Sequence, residues 1–261
     1  MHTAIRTLSN APAPTSPPTL DIGSSAVATA NLATSTSSYS LGMSSLVTTG
    51  PDEIIVLSVV TYSRGSVSSV TSISGTSLTW NQRSVRSSGS ADAYGYYRTI
   101  ETWWAPCIQP TTSTITINAN RSTSGSLIYM AAIGFAVVGV HMQEPFDPDP
   151  SLAQFSENLT NIASIVQAQP ISTDYNDVFV FSTVATGQND AMRANAMSPI
   201  APTPTTIATT YNGLNANEIA LQVAYGELTA GLHSTTIAYD QSTSGLADTT
   251  EWLLGWDALR A

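Results

Sequence analysis

Short apolar stretches alternate along the chain with segments rich in Ser, Thr, Gly and Pro, a pattern that predicts strands throughout. Residues 53–62 (EIIVLSVVTY), 127–138 and 177–186 (DVFVFSTVAT) are dense apolar runs, as expected of central strands buried on both faces. Residues 111–119 (TTSTITINA) alternate cleanly and set Ile115 and Ile117 on one face. Residues 94–105 (YGYYRTIETWWA) form a long aromatic strand, and weaker alternation marks 26–33 and 39–47. Strands at 67–73 and 77–82 flank Ser74-Gly75-Thr76, which reads as a hairpin turn, and the polar stretch 83–92 reads as an exposed loop. Further on, 218–225, 234–239 and 249–259 are strands, 187–204 is a loop and 141–150 (HMQEPFDPDP) is a Pro-rich crossing. Residues 151–169 stay ambiguous: Ile162, Ile165 and Val166 have helical spacing, but a strand at 163–168 fits equally. No long helix is needed. The expected class is all-β, a two-sheet β-sandwich of jelly-roll type.

Residues 1–20 carry four prolines between Pro12 and Pro18 and are expected to form an extended N-terminal arm. Residues 21–261 are expected to form a single sandwich domain, within the size that such folds reach. A faint repeat divides it into halves 21–140 and 151–261. Asp52 opens an apolar strand that is followed by a Ser122-Thr-Ser-Gly turn; Asp177 opens another that is followed by Ser242-Thr-Ser-Gly. The repeat implies two similar strand sets sharing one core, with two tandem domains as the alternative.

Composition narrows the setting. The net charge is −10, all eight basic residues are Arg, and 35 Ser and 35 Thr make up over a quarter of the chain. Binding to nucleic acid needs basic surface, and the balance here is opposite. The longest apolar run, 127–140, is short of the roughly 20 residues of a membrane helix. One cysteine, Cys107, cannot form an internal disulfide and is expected to pack as a small hydrophobe. Neither the basic start nor the apolar stretch of a secretory signal is visible near Met1. An extracellular composition without a visible export signal suits a virion component; a secreted protein stripped of its signal is the competing explanation.

The order of several stretches resembles the large β-sandwich domain of phage structural proteins and of bacterial and archaeal surface proteins. The stretch from Asp52 through Trp80 is similar to that domain's first central strand and hairpin, Ile100–Pro106 to its aromatic strand, and residues 111–118 to its alternating strand. Residues 133–140 and 177–184 resemble the strand ending its first half and the one opening its second. The resemblance spans about residues 25–260 and implies a non-enzymatic display module with no catalytic residues to transfer.

Candidate chemistry is sparse. His2, His141 and His233 lack a Gly-x-Ser-x-Gly elbow, so no nucleophilic site is nominated. Zinc finds no Cys/His cluster, and no cofactor is implied. Glu144, Asp147 and Asp149 offer oxygen ligands for Ca²⁺, against which stands the simpler reading of a solvated acidic loop. Trp103 and Trp104 are neighbours on a strand, so one should face the core and the other outward. Trp252 and Trp256 share a strand face and read as packing residues. Tyr94, Tyr96 and Tyr97 beside a Ser/Gly-rich loop, with Trp104, are the candidate contact residues.

The expected function is that of a structural virion protein, a capsid decoration, head-fibre or tail-associated subunit. Its partners are other virion proteins and itself in a homo-oligomer, with a host surface glycan as a further candidate and neither nucleic acid nor membrane among them. The alternative is a secreted or cell-surface adhesin or carbohydrate-binding module. A strand-rich chain without Lys lacks a common guard of sheet edges, which favours edges covered within an assembly.

Overall fold

A computed structural model describes residues 16–32, 37–75, 77–91, 95–121, 128–162, 169–175, 177–187, 197–201, 205–212, 219–228, 234–241 and 250–261. Residues 1–15, most of the expected arm, lie outside the described residues. The protein is all-β, and every strand pair is antiparallel.

Among the described residues, the first half contributes β1 (Thr19–Leu20), β2 (Ala26–Leu32), β3 (Ser38–Val47), β4 (Glu53–Arg64), β5 (Ser68–Ser74), β6 (Asn81–Ser87), β7 (Tyr96–Cys107), β8 (Thr112–Arg121) and β9 (Ile128–Val138). The described residues of the second half form β10 (Gln154–Ile162), β11 (Gln169–Ser172), β12 (Val178–Gly187), β13 (Met197–Ala201), β14 (Thr205–Asn212), β15 (Ile219–Leu228), β16 (Ser234–Gln241) and β17 (Thr250–Arg260). The first large sheet runs β2-β9-β4-β7-β6, with β1 continuing the β2 edge along β9, and the first small sheet runs β3-β8-β5. The second half repeats both orders, β10-β17-β12-β15-β14 and β11-β16-β13.

Side-chain alternation explains how the layers stack. On β4, Ile54, Val56, Val60 and Tyr62 point one way, and Ile55, Leu57 and Val59 the other. The first set meets Phe179, Phe181, Leu221, Val223 and Leu253 of the second large sheet, so the two large sheets pack face to face. The second set packs with Leu41, Met43, Ile115 and Ile117 of the first small sheet. Both faces of β4 are therefore buried, which is why its sequence is a dense apolar run. On the far face of the second large sheet, Val178, Val180, Trp252, Leu254 and Trp256 form a third cluster. Trp252 and Trp256 are thus core residues, as their shared face suggests. Cys107 is buried as well, its Sγ donating to the carbonyl of Gln109.

Several local expectations need correction. Ser74-Gly75-Thr76 does not close a hairpin: β5 pairs with β8 in the small sheet, while β6 pairs with β7 in the large one. The turn is a crossing between layers. Gly75 sits at φ +98°, and a Cβ there would lie 2.5 Å from the carbonyl oxygen of Thr114, so only glycine fits. Residues 81–87, most of them assigned to an exposed loop, are the edge strand β6. A strand, β10, occupies 154–162 within the stretch left ambiguous, and the loop assigned to 187–204 contains β13. Residues 163–168 lie outside the described residues.

Candidate functional site at the junction of the halves

The connection between the halves, residues 139–153, lies along the end of β17. His141 and Asp147 donate backbone N–H bonds to the carbonyls of Arg260 and Ala258, and Arg260 donates back to Pro145. Phe146 forms an isolated bridge with Leu259. Pro145 and Pro148 bracket this contact and stiffen it. Asp147 fastens it further. Its carboxylate is buried and accepts the backbone N–H groups of Asp149, Asp174 and Tyr175 at 2.9–3.1 Å.

Asp147 has a counterpart in the first half. Asp21 donates its N–H to the Ala136 carbonyl at 2.9 Å, as Asp147 does to Ala258 at the same distance. Its carboxylate accepts the N–H and hydroxyl of Thr49, in the turn that leads into β4 as Asp174 leads into β12. Each half therefore clamps its central-strand turn with one buried Asp that follows one apolar residue, Leu20 or Phe146.

Beside the Asp147 clamp opens a cleft of about 500 Å³ between β6, β7 and the connection. Arg83 of β6 crosses the sheet interface to Asp257 of β17 in a two-pronged ion pair, with Nε–Oδ2 at 2.8 Å and the second contact at 3.1 Å. Burial pushes the Asp257 carboxyl up from its usual range, and the Arg83 bonds and charge pull it back. The Arg83 guanidinium also lies 4.5 Å over the Phe146 ring. Phe146 in turn meets Trp104 of β7 edge to face, centroids 6.0 Å apart. At the other wall Arg260 donates to the carbonyl and carboxylate of Glu144 and to the hydroxyl of Tyr175, whose ring lies 4.6 Å beneath its guanidinium.

Of the four candidate contact residues, this cleft takes in Trp104, which is half-buried. Trp103 packs toward the opposite cluster and gives its indole N–H to Glu101. Tyr96 is a correction: it is 3% exposed and stacked on Tyr62 with centroids 4.4 Å apart, so it serves packing rather than an outer rim. Tyr97, half-buried, points to the opposite side of β7. Tyr94 lies outside the described residues.

The acidic loop does not converge on a cation. Asp147 is filled by backbone donors, Asp149 turns to the N–H and hydroxyl of Ser151, and Glu144 turns to Arg260. Those Ser151 bonds hold the Asp149 carboxyl below its ordinary pKa. Among the described residues no group of three or more potential metal ligands assembles. His141 Nδ1 accepts the N–H of Glu144 within a turn; His2 and His233 lie outside the described residues.

Sequence reasoning passed over Arg83, Phe146 and Arg260. Their meeting joins positions 174 residues apart, as in the Arg83–Asp257 pair, and no local pattern announces it. No protein-family model, no curated protein and no solved structure matches the chain.

Proposed function

We propose that the chain is a non-enzymatic structural subunit of a virion, a capsid decoration, head-fibre or tail-associated protein built from two jelly-roll units. The strand order carries this reading. Numbering eight strands within each half, from β2 and from β10, gives a large sheet 1-8-3-6-5 and a small sheet 2-7-4. A jelly roll has sheets 1-8-3-6 and 2-7-4-5, so here strand 5 has moved beside strand 6. Viral capsid proteins and lectins are frequent users of that architecture. Fold alone does not carry function, and two further features support a subunit that assembles. The edge strand β6 turns its outer backbone groups away from any described strand, with Val85 48% exposed on it. The chain has no Lys to guard such an edge. The Pro-rich arm, in this reading, docks on a neighbouring subunit.

The test is the mass of the purified full chain by light scattering, together with co-sedimentation on particles from its source. A homo-oligomer that binds virion components is expected. A monomer that binds none defeats the reading.

A further inference from the structure

We infer that the cleft beside Trp104 is a binding site for a neutral saccharide. This does not rest on the subunit reading, since a site of this kind serves a virion protein or a surface adhesin equally. The argument begins with charge. Two arginines border the cleft, and each is matched by a carboxylate of the protein itself, Arg83 by Asp257 and Arg260 by Glu144. A ligand anion would have to compete with these fixed partners, and a cation would find no cluster of free acids. An uncharged ligand meets neither obstacle.

The remaining surface divides into an aromatic wall and a polar rim. Trp104, half-buried and braced edge to face by the buried Phe146, supplies the wall, suited to the C–H face of a pyranose ring. Gln143, Glu144 and Arg260 supply donors and acceptors together, as a ring of hydroxyls requires, because each hydroxyl both gives and takes a hydrogen bond. The Glu144 side chain is 76% exposed, so its carboxylate stays open to a ligand while one oxygen holds Arg260.

The site is also built before the ligand arrives. The Asp147 clamp, the two prolines and the Arg260 bonds fix the loop that carries Gln143 and Glu144. A preformed site spares the ligand the cost of ordering it. At about 500 Å³ the cleft falls within the roughly 300–1,000 Å³ of small-molecule sites and accommodates a short oligosaccharide.

The experiment titrates the full chain with maltotriose, cellotriose and N,N′,N″-triacetylchitotriose, with sialyllactose as the charged comparison, read by calorimetry and Trp fluorescence. Saturable binding of at least one neutral trisaccharide is expected. Gln143→Ala and Glu144→Gln, both at exposed positions, should each weaken it by about tenfold; Glu144→Gln keeps a carbonyl oxygen for Arg260, so its melting temperature should fall by no more than about 4 °C. Trp104→Ala should abolish it, and if that variant unfolds, the two rim variants decide. Absence of binding to every neutral sugar at millimolar concentration overturns the inference. So does binding of sialyllactose alone, or binding that neither rim variant weakens.

Discussion

The hydroxyl oxygens of Ser58 and Thr183 lie 2.8 Å apart in the buried interface between the two large sheets, and the two residues occupy equivalent positions in the two halves. They are 125 residues apart, the same interval that separates Asp52 from Asp177 at the starts of the sequence repeat. A residue that touches its own counterpart marks a two-fold axis, here an approximate one within a single chain. The hydrogen bond also explains how a polar pair survives among Val56, Val60, Phe181 and Ala185: each hydroxyl satisfies the other.

Removing one member of that pair should cost more than removing both. Ser58→Ala or Thr183→Val alone strands a buried hydroxyl and should lower stability by about 1–3 kcal/mol. The double variant should recover most of the loss. Urea unfolding of the four proteins gives the coupling directly; additive losses would mean that the hydroxyls do not depend on each other.

Asp21 and Asp147 should behave as equivalent clamps. Asp147→Ala leaves three backbone donors unmatched and Asp21→Ala leaves one donor and a hydroxyl, so both should destabilise, Asp147→Ala by the larger amount, about 2–4 kcal/mol. Since the Asp147 carboxylate is filled by N–H groups, addition of Ca²⁺ or EDTA should leave its melting temperature unchanged. A clear rise with Ca²⁺ would restore the cation site.

Glu53 gives the fold a pH dependence of definite sign. Burial, opposed by the Gly50 N–H and reinforced by the neighbouring Asp21 carboxylate, raises its pKa from 4.5 to about 7. The folded state therefore holds this proton more tightly than the unfolded chain does. Its contribution is fully present below pH 4.5 and is lost as the pH climbs to about 7, a change of about 3 kcal/mol. Glu53→Gln should remove that part of the slope. Denaturant melts between pH 4.5 and 7.5 test it, and an unchanged slope in the variant would assign the proton elsewhere.

Arg83→Ala should leave Asp257 charged, buried and unpaired, at a cost of about 3 kcal/mol near neutral pH. The loss should shrink as the pH falls, because burial already pushes the Asp257 pKa upward and loss of Arg83 removes what holds it down. A loss independent of pH would show that Arg83 acts through its contact with Phe146 instead.

The strands that the sequence reveals most plainly are those with both faces buried. β4, β9 and β12 have dense apolar runs because both of their faces are buried. β6 (NQRSVRS) reads as a loop because an edge strand on the surface needs little apolar content; its pairing comes from β7. β14 (TTIATTYN) is hidden in the same way by its threonines. At the cleft, Trp104 stands out as an aromatic residue on a strong strand. Arg83 and Arg260 do not, since Asp257 is reached only after the halves have docked and Glu144 only after β17 folds back along the connection, 116 residues later. The Asp21–Asp147 equivalence rests on too few shared residues to be seen before their hydrogen bonds are compared.

The closure of each half's sheets upon themselves bears on how the chain emerges from the ribosome. Among the described residues, every strand pair made by β1–β9 lies within the first half, so that ladder can form before β10 is synthesised. The face that carries Ile54, Val56, Phe135 and Val137 then has no cover until β12, β15 and β17 arrive. For that interval the nascent protein presents a broad sticky surface next to an unguarded β6 edge, and synthesis speed relative to encounter with other chains becomes a determinant of its yield.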